Sequence, residues 1–149
     1  HLITDVSALK NTTTLTLSCC AGITDVSALV NVRALDLSGC HNVTDVSALT
    51  NVKILNLLGC DGVRDVSALS NAIALSIAKC TRITDVSALS KLKILNVSHC
   101  TGITNMSTVS GVMVLRQEHH VRSAERRAGD ITSKLHSLLR LPVGFSPIV

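Results

Sequence analysis

Residues 21–40 read AGITDVSALVNVRALDLSGC, and the same wording returns as HNVTDVSALTNVKILNLLGC at 41–60, DGVRDVSALSNAIALSIAKC at 61–80 and TRITDVSALSKLKILNVSHC at 81–100. A fixed period of twenty residues settles the architecture ahead of any local propensity. Each copy is one structural unit, and it can bury its apolar face only by stacking on its neighbours. Inside the unit, the run Val32-x-x-Leu35-x-Leu37-x-x-Cys40 holds a short alternating segment. Alternation sends Leu35 and Leu37 to one side of a strand and the residue between them, Asp36, to the other.

Apolar residues occupy the same slots in every copy. Ile3, Ile23, Val43, Val63, Ile83 and Ile103 form one column, and Val6, Val26, Val46, Val66, Val86 and Met106 a second. Leu9, Leu29, Leu49, Leu69, Leu89 and Val109 form a third. The twenty-residue period assigns Leu15, Leu35, Leu55, Leu75, Leu95 and Leu115 to a fourth, inside the strands. Residues 1–20 are an incomplete first copy. Between strands, ITDVSAL leaves room for one turn of 3₁₀ or α-helix capped by Thr or Asp, and not for a full helix.

Composition agrees with stacked layers. Of the 149 residues 46% are hydrophobic, yet Phe145 is the one aromatic. A conventional core draws on several aromatics, each burying a large area; identical layers of Leu, Val, Ile, Ala and Cys do not need them. No apolar run reaches the length of a membrane span. The chain opens mid-repeat with neither an initiator Met nor a signal peptide, which predicts a piece of a longer protein. The net charge of +4 is uneven: residues 1–115 carry eight Lys and Arg against seven Asp and Glu, and residues 116–149 six against three. That balance excludes the clustered basic face of a nucleic-acid binder.

The pattern fails at Gln117, where earlier copies place Leu, Ile or Val. Beyond it, Val121, Ala124, Ala128, Ile131, Leu135 and Leu138 fall at the spacing of one helix face. Gly129 weakens that helix by about 1 kcal/mol relative to Ala, and Pro142 and Gly144 end it. The expected organisation is a repeat solenoid over 1–115 and a C-terminal basic amphipathic helix and tail over 116–149, the helix covering the last repeat. The competing use of that helix is docking to a partner or a membrane surface.

Several columns invite a chemical reading. Cys20, Cys40, Cys60, Cys80 and Cys100 recur once per repeat, with Cys19 extra. Adjacent rungs lie about 4.8 Å apart, within disulfide reach by Cα distance, but parallel Cβ vectors do not converge. The expectation is a ladder of buried reduced thiols, hence a reducing compartment and a cytoplasmic, intracellular location. Asp5, Asp25, Asp45, Asp65 and Asp85 form a line rather than a convergent calcium cage, so they are expected to cap backbone N–H groups. Ser7 through Ser107 are expected to tie one turn to the next. His99, Cys100, His119 and His120 are the best case for a zinc site, but the repeat is failing there and no metal or cofactor is assigned. No phosphate loop, HExxH or nucleophile elbow occurs, and no catalytic residue is assigned. Asn11, Asn42, Asn96 and Asn105 begin N-x-[ST] sequons, which matter only in a secreted protein.

Function is expected on the strand-lined face. Asp36, Asn56, Ser76 and Asn96 project outward from mid-strand, flanked by the aliphatic stripe Ala34, Ile54 and Ile94 and by the cations Arg33, Lys53 and Lys93. These ten residues are the candidate partner-binding set. The surface suits a protein, although it lacks the Trp and Tyr anchors common in hot spots.

The segments LDLSGCHNVTDVSAL and LNVSHCTGITNMSTV resemble the leucine-rich repeat family. The wording S-x-C-x-G-I-T-D-V-S-x-L, at Ser18–Leu29, is most like the leucine-rich repeats of trypanosomatid parasites. It is also similar to the cysteine-containing repeats of F-box ubiquitin-ligase receptors and to internalin-like bacterial repeats. The resemblance covers roughly residues 1–115, and the tail matches none of these families. It implies an α/β solenoid of short leucine-rich repeats, with a parallel β-sheet on the concave face and a thin 3₁₀ or turn convex side, to which the helix expected from apolar spacing adds a C-terminal helical cap. It also implies a non-catalytic protein–protein interaction module recognising an unknown protein partner on the concave face. A structural spacer or scaffold array, and the substrate-recognition repeat of a ubiquitin-ligase adaptor, are the alternatives.

Overall fold

The computed structural model describes residues 3–116, and across them each repeat becomes one rung of a parallel sheet. Strands β1 (Thr14–Thr16), β2 (Ala34–Asp36), β3 (Ile54–Asn56), β4 (Ala74–Ser76), β5 (Ile94–Asn96) and β6 (Met113–Leu115) follow one another in sequence order. Up to β5 the register is the sequence period itself: Leu35 lies between Leu15 and Leu55, and Leu75 between Leu55 and Leu95. The chain folds as a solenoid of twenty-residue repeats with a parallel sheet on one side and short turns on the other.

The turn side is as thin as the period requires. Single 3₁₀ turns run over Ser7–Leu9, Ser27–Leu29, Ser67–Leu69, Ser87–Leu89 and Met106–Val109. In the remaining copy Leu49 N–H donates to the Val46 carbonyl at 3.0 Å, the same bond without a full helical turn. Aspartate shapes these turns as expected: Oδ1 of Asp5, Asp25, Asp45, Asp65 and Asp85 accepts the N–H of the serine two residues on, at 2.7–2.8 Å. The serine side chains bond to the same aspartates. In these five repeats serine therefore reinforces its own turn, where the sequence suggested a tie to the next one.

The core lies between sheet and turns. Val26, Leu29, Leu35, Leu37, Cys40 and Val43 of one rung are buried against their counterparts in the next. In the inward columns exposure returns toward the ends, where Ile3 is 41% exposed and Leu9 and Leu15 are half-buried. End rungs lack a neighbour on one side, as a nearest-neighbour stack dictates.

Entry into each strand uses a shared acceptor. Arg33 and Ala34 N–H both donate to the Thr13 carbonyl, Lys53 and Ile54 to Arg33, Ile73 and Ala74 to Lys53, and Lys93 and Ile94 to Ile73. The last rung has one residue fewer here, and Met113 N–H alone meets the Lys93 carbonyl. Val114 consequently pairs with Leu95, and Leu115 with Asn96. This corrects the fourth column: Val114 takes the inward position that strict periodicity gave to Leu115. The helix and tail expected over 116–149 lie, beyond Arg116, outside the described residues.

Candidate functional site

The strands set two outward columns and one rim, and the ten candidate residues divide among them by exposure. Arg33 and Lys93, on the rim, are exposed; Lys53 and Ile94 are half-buried. Ala34, Asp36, Ile54, Asn56, Ser76 and Asn96 are buried. The open aliphatic stripe expected from the sequence is therefore covered at its centre, with Ala34 and Ile54 each 6% exposed and Ala74 1%. Alternation places these residues away from the core, and none of the three belongs to the core cluster.

Polar groups in the column beside the stripe are only partly engaged. Asp36 Oδ1 accepts Ser38 N–H at 2.8 Å, Asn56 Oδ1 accepts Leu58 N–H at 3.1 Å, and Asn96 Oδ1 accepts Ser98 N–H at 3.0 Å. Each bond shapes the turn that leaves the strand. The second carboxylate oxygen of Asp36 and the hydroxyl of Ser76 are buried without a hydrogen-bond partner among the described residues. On the rim, Lys53 Nζ donates to the Asn71 carbonyl at 3.1 Å, which ties it to the following rung.

After each of the strands β1 to β5 the backbone turns through a left-handed position. Gly39 and Gly59 fill it with φ 72°, whereas Cys19, Lys79 and His99 take φ 58°, 61° and 61° at the same slot. Glycine adopts this region freely, and residues with a Cβ do so at a cost.

Cysteine is a structural column here. Among the described residues all six cysteines are free thiols, Cys19 exposed and Cys20, Cys40, Cys60 and Cys80 buried. Sγ of Cys40, Cys60, Cys80 and Cys100 donates to the carbonyl of Leu17, Leu37, Leu57 and Ile77 at 3.1, 3.1, 3.0 and 2.9 Å. Burial pushes the thiol pKa values of all four up, Cys60 to about 12. Of the four residues considered as zinc ligands, His119 and His120 lie outside the described residues. Cys100 Sγ is turned to the Ile77 carbonyl.

The aspartate line on the turn side is solvent-facing and ionised. Ser47 N–H, followed by the Ser47 side chain, holds the Asp45 carboxyl below its usual pKa, and Asp5, Asp25, Asp65 and Asp85 are held down in the same way. In the sixth copy Asn105 stands in this line. Its amide Nδ2 donates to Asp85 Oδ1 and its Oδ1 accepts Val86 N–H, at 2.6 and 3.1 Å. Of the sequon asparagines, Asn96 is buried, while Asn42 Nδ2 donates to the Ala21 carbonyl at 2.7 Å.

Sequence reasoning missed the amides that stitch rungs together. Asn51 Nδ2 donates to the Val30 carbonyl at 3.1 Å, and Asn31 Nδ2 to Lys10 at 3.4 Å. The signal was available: Asn11, Asn31, Asn51 and Asn71 share one slot. His41 Nδ1 also meets the Gly59 carbonyl at 2.7 Å, a contact no column announces. Among the described residues no helix is long and apolar enough to cross a membrane.

A leucine-rich repeat family model matches residues 28–49. That match reaches leucine-rich repeats in general and distinguishes neither the trypanosomatid nor the F-box kind. A search of curated proteins gave no match. Among solved structures, the internalin InlF of Listeria monocytogenes is similar at 24% identity and TM-score 0.49, over 81% of this chain and 47% of its own. Internalin C2 of the same organism is similar at 25% identity and TM-score 0.45, over 76% and 66%. The functional domain of InlJ, also from Listeria monocytogenes and described as including a cysteine ladder, is similar at 20% identity and TM-score 0.44, over 76% and 31%. The chain thus spans about half of the first of these proteins and under a third of the last.

Proposed function

We propose that this chain is a non-catalytic interaction module that recognises a protein partner on the outward face of its sheet. The observation that carries this reading is the contrast between the two sides of each strand. Inward slots hold only Leu, Ile, Val, Ala and Cys from Val32 to Val97, because every rung must fill the same layer. Outward slots change from rung to rung: Arg33, Lys53, Ile73 and Lys93 form an exposed or half-buried column, and Asp36, Asn56, Ser76 and Asn96 a buried one beside it. A surface made by six strands whose composition packing does not dictate is free to be fitted to a partner. The flat, multi-rung shape suits a protein better than a small molecule, which requires a concave pocket.

The exposed rim gives a clean test. Affinity capture with the native chain is compared with the Arg33→Glu, Lys93→Glu double variant, both checked for an unchanged circular dichroism spectrum. A partner retained by the native chain and lost by the variant supports the reading. Equal retention, or no specific partner with either, sinks it and leaves the spacer role.

A further inference from the structure

Four N-x-[ST] sequons are written into the chain, and the fold treats them differently. Asn96 lies in β5 at 6% exposure, and its Oδ1 accepts the N–H of Ser98, the hydroxyl residue of its own sequon. Asn105 is half-buried with both ends of its amide engaged, Nδ2 on Asp85 and Oδ1 on the Val86 N–H. Asn42 is exposed, but its Nδ2 donates to the Ala21 carbonyl at 2.7 Å and the next residue, Val43, is fully buried. Asn11 differs from all three. It is exposed in the turn that leads into β1, and so is Thr13, the hydroxyl residue of its sequon. Thr12 between them is half-buried, its N–H and Oγ1 both donating to the Leu9 carbonyl at 3.0 and 2.7 Å.

We propose that Asn11 is an acceptor site for an N-linked glycan, and that the folded chain closes the other three sequons. Exposure at Asn11 belongs to the slot and is not an effect of the first rung. Asn31, Asn51 and Asn71 occupy the same slot with a rung on either side, and all three are exposed. They lack only the hydroxyl, since Arg33, Lys53 and Ile73 stand where Asn11 has Thr13. In this slot Asn31 and Asn51 each donate Nδ2 to one carbonyl a rung back. An amide nitrogen carries two donors, so the slot leaves a second N–H to react.

The chemistry is a glycosyl transfer. Asn11 Nδ2 attacks the anomeric carbon of a sugar activated as a glycosyl diphosphate. A carbon–nitrogen bond forms at that carbon, its bond to the diphosphate oxygen breaks, and the Nδ2 proton leaves with the departing diphosphate. The product keeps Oδ1 and one N–H, which is all that the stacking bond of this slot uses. A glycan is bulky and belongs on the surface. At Asn11 it extends from a turn at the rim; at Asn96 it would have to grow out of a buried strand position. The site serves in any compartment that supplies such a transferase.

The probe is a soluble asparagine glycosyltransferase with UDP-glucose, applied to the native full-length chain and to peptides spanning each sequon. Modified asparagines are mapped by fragmentation mass spectrometry, and the peptides give each sequon's reactivity without the fold. In the native chain Asn11 should stay within about threefold of its peptide's rate, whereas Asn42, Asn96 and Asn105 should fall about tenfold or more below theirs, as groups that need local opening do. Thr13→Ala should abolish modification at Asn11. Ile73→Thr, checked for an unchanged circular dichroism spectrum, supplies the missing hydroxyl and should open Asn71. An Asn11 as protected as Asn96 overturns the proposal, as do equal rates at Asn11 and either Asn42 or Asn105 in the native chain. An Ile73→Thr chain in which Asn71 stays unmodified overturns the slot argument and the proposal with it.

Discussion

The Cys80 thiol donates to the main-chain carbonyl of Leu57 at 3.0 Å, one rung back in the stack. Cys40, Cys60 and Cys100 make the same bond to Leu17, Leu37 and Ile77. Each sulfur thus points at a backbone acceptor, and the column works as a hydrogen-bonded spine beside the sheet. Each of these carbonyls already accepts a main-chain N–H, Leu57 that of Cys60 at 2.9 Å, and the thiol of the next rung adds a second, weakly polar donor that tolerates burial.

Thiol chemistry follows from that geometry. In the native chain a thiol reagent should reach Cys19 quickly and the ladder slowly, with all six cysteines reacting after denaturation. The pH dependence has a fixed sign. Burial raises the folded pKa of Cys40, Cys60, Cys80 and Cys100, while an unfolded thiol titrates near about 8.5. Stability is then fully present below about pH 8.5 and falls as pH rises toward the folded value of about 12 for Cys60. A denaturation midpoint unchanged between pH 7 and pH 10, or two or more disulfides in the unreduced protein, would contradict the ladder.

Acid acts on the opposite side of the solenoid. Backbone and side-chain hydrogen bonds from Ser47 lower the folded pKa of Asp45, and its counterparts behave alike. A depressed carboxyl contributes stability that is present above its unfolded pKa of about 3.9 and is lost as pH falls through the folded value. Asp45→Asn keeps the Oδ1 acceptor but removes the charge, as Asn105 does naturally. Its stability difference from the native chain, measured by urea melts, should therefore shrink as pH drops from 6 to below about 4. A difference that stays constant across that range would show that the carboxylate charge plays no part.

The left-handed slot separates glycine from its substitutes. Lys79 and His99 hold φ 61° where Gly59 holds 72°, and an L-residue there costs roughly 1–2 kcal/mol. Lys79→Gly relieves that strain but adds unfolded-state entropy worth about 0.4–1 kcal/mol. The net expectation is a gain of up to about 1 kcal/mol. Gly59→Ala should lose about 1 kcal/mol through backbone strain alone, since a Cβ there meets nothing nearer than the His41 ring at 3.9 Å. Denaturant midpoints that move the other way in both variants would remove backbone strain as the cause.

The repeat itself was legible because one residue type per slot reports one environment. Val26, Leu29, Leu35 and Cys40 recur unchanged or nearly so, and the structure buries them all. The Asp–Ser turn was legible in the same way. What escaped was whatever broke the period by a single residue or came from outside it. The shared acceptor at each strand entry is invisible in sequence, so the one-residue deletion before Met113 could not be placed, and Leu115 was put on the wrong side. Exposure of Asp36 and Ile54 was misjudged for a different reason. Alternation tells which side of a strand a residue faces, but not how far it is exposed on that side.

Stability should be distributed along the stack in proportion to enclosure. Leu55 has a complete rung on each side and is fully buried, whereas Leu15 is half-buried at the first strand. Leu55→Ala is expected to cost toward the upper part of the range of about 2–5 kcal/mol for a buried Leu→Ala change, and Leu15→Ala distinctly less. At the other end the informative position is Val114, which packs against Leu95 and is itself half-buried. Val114→Ala should cost about 1 kcal/mol, while Leu115→Ala, in the outward column, leaves the inward layer intact. Solenoid stability is close to a sum of rung and nearest-neighbour terms, so end rungs open first. Hydrogen exchange should accordingly show β1 and β6 exchanging faster than β3 and β4. Equal losses for Leu55→Ala and Leu15→Ala, together with uniform exchange protection from β1 to β6, would mean that the chain unfolds as one undivided unit and that its energetics do not follow its repeat.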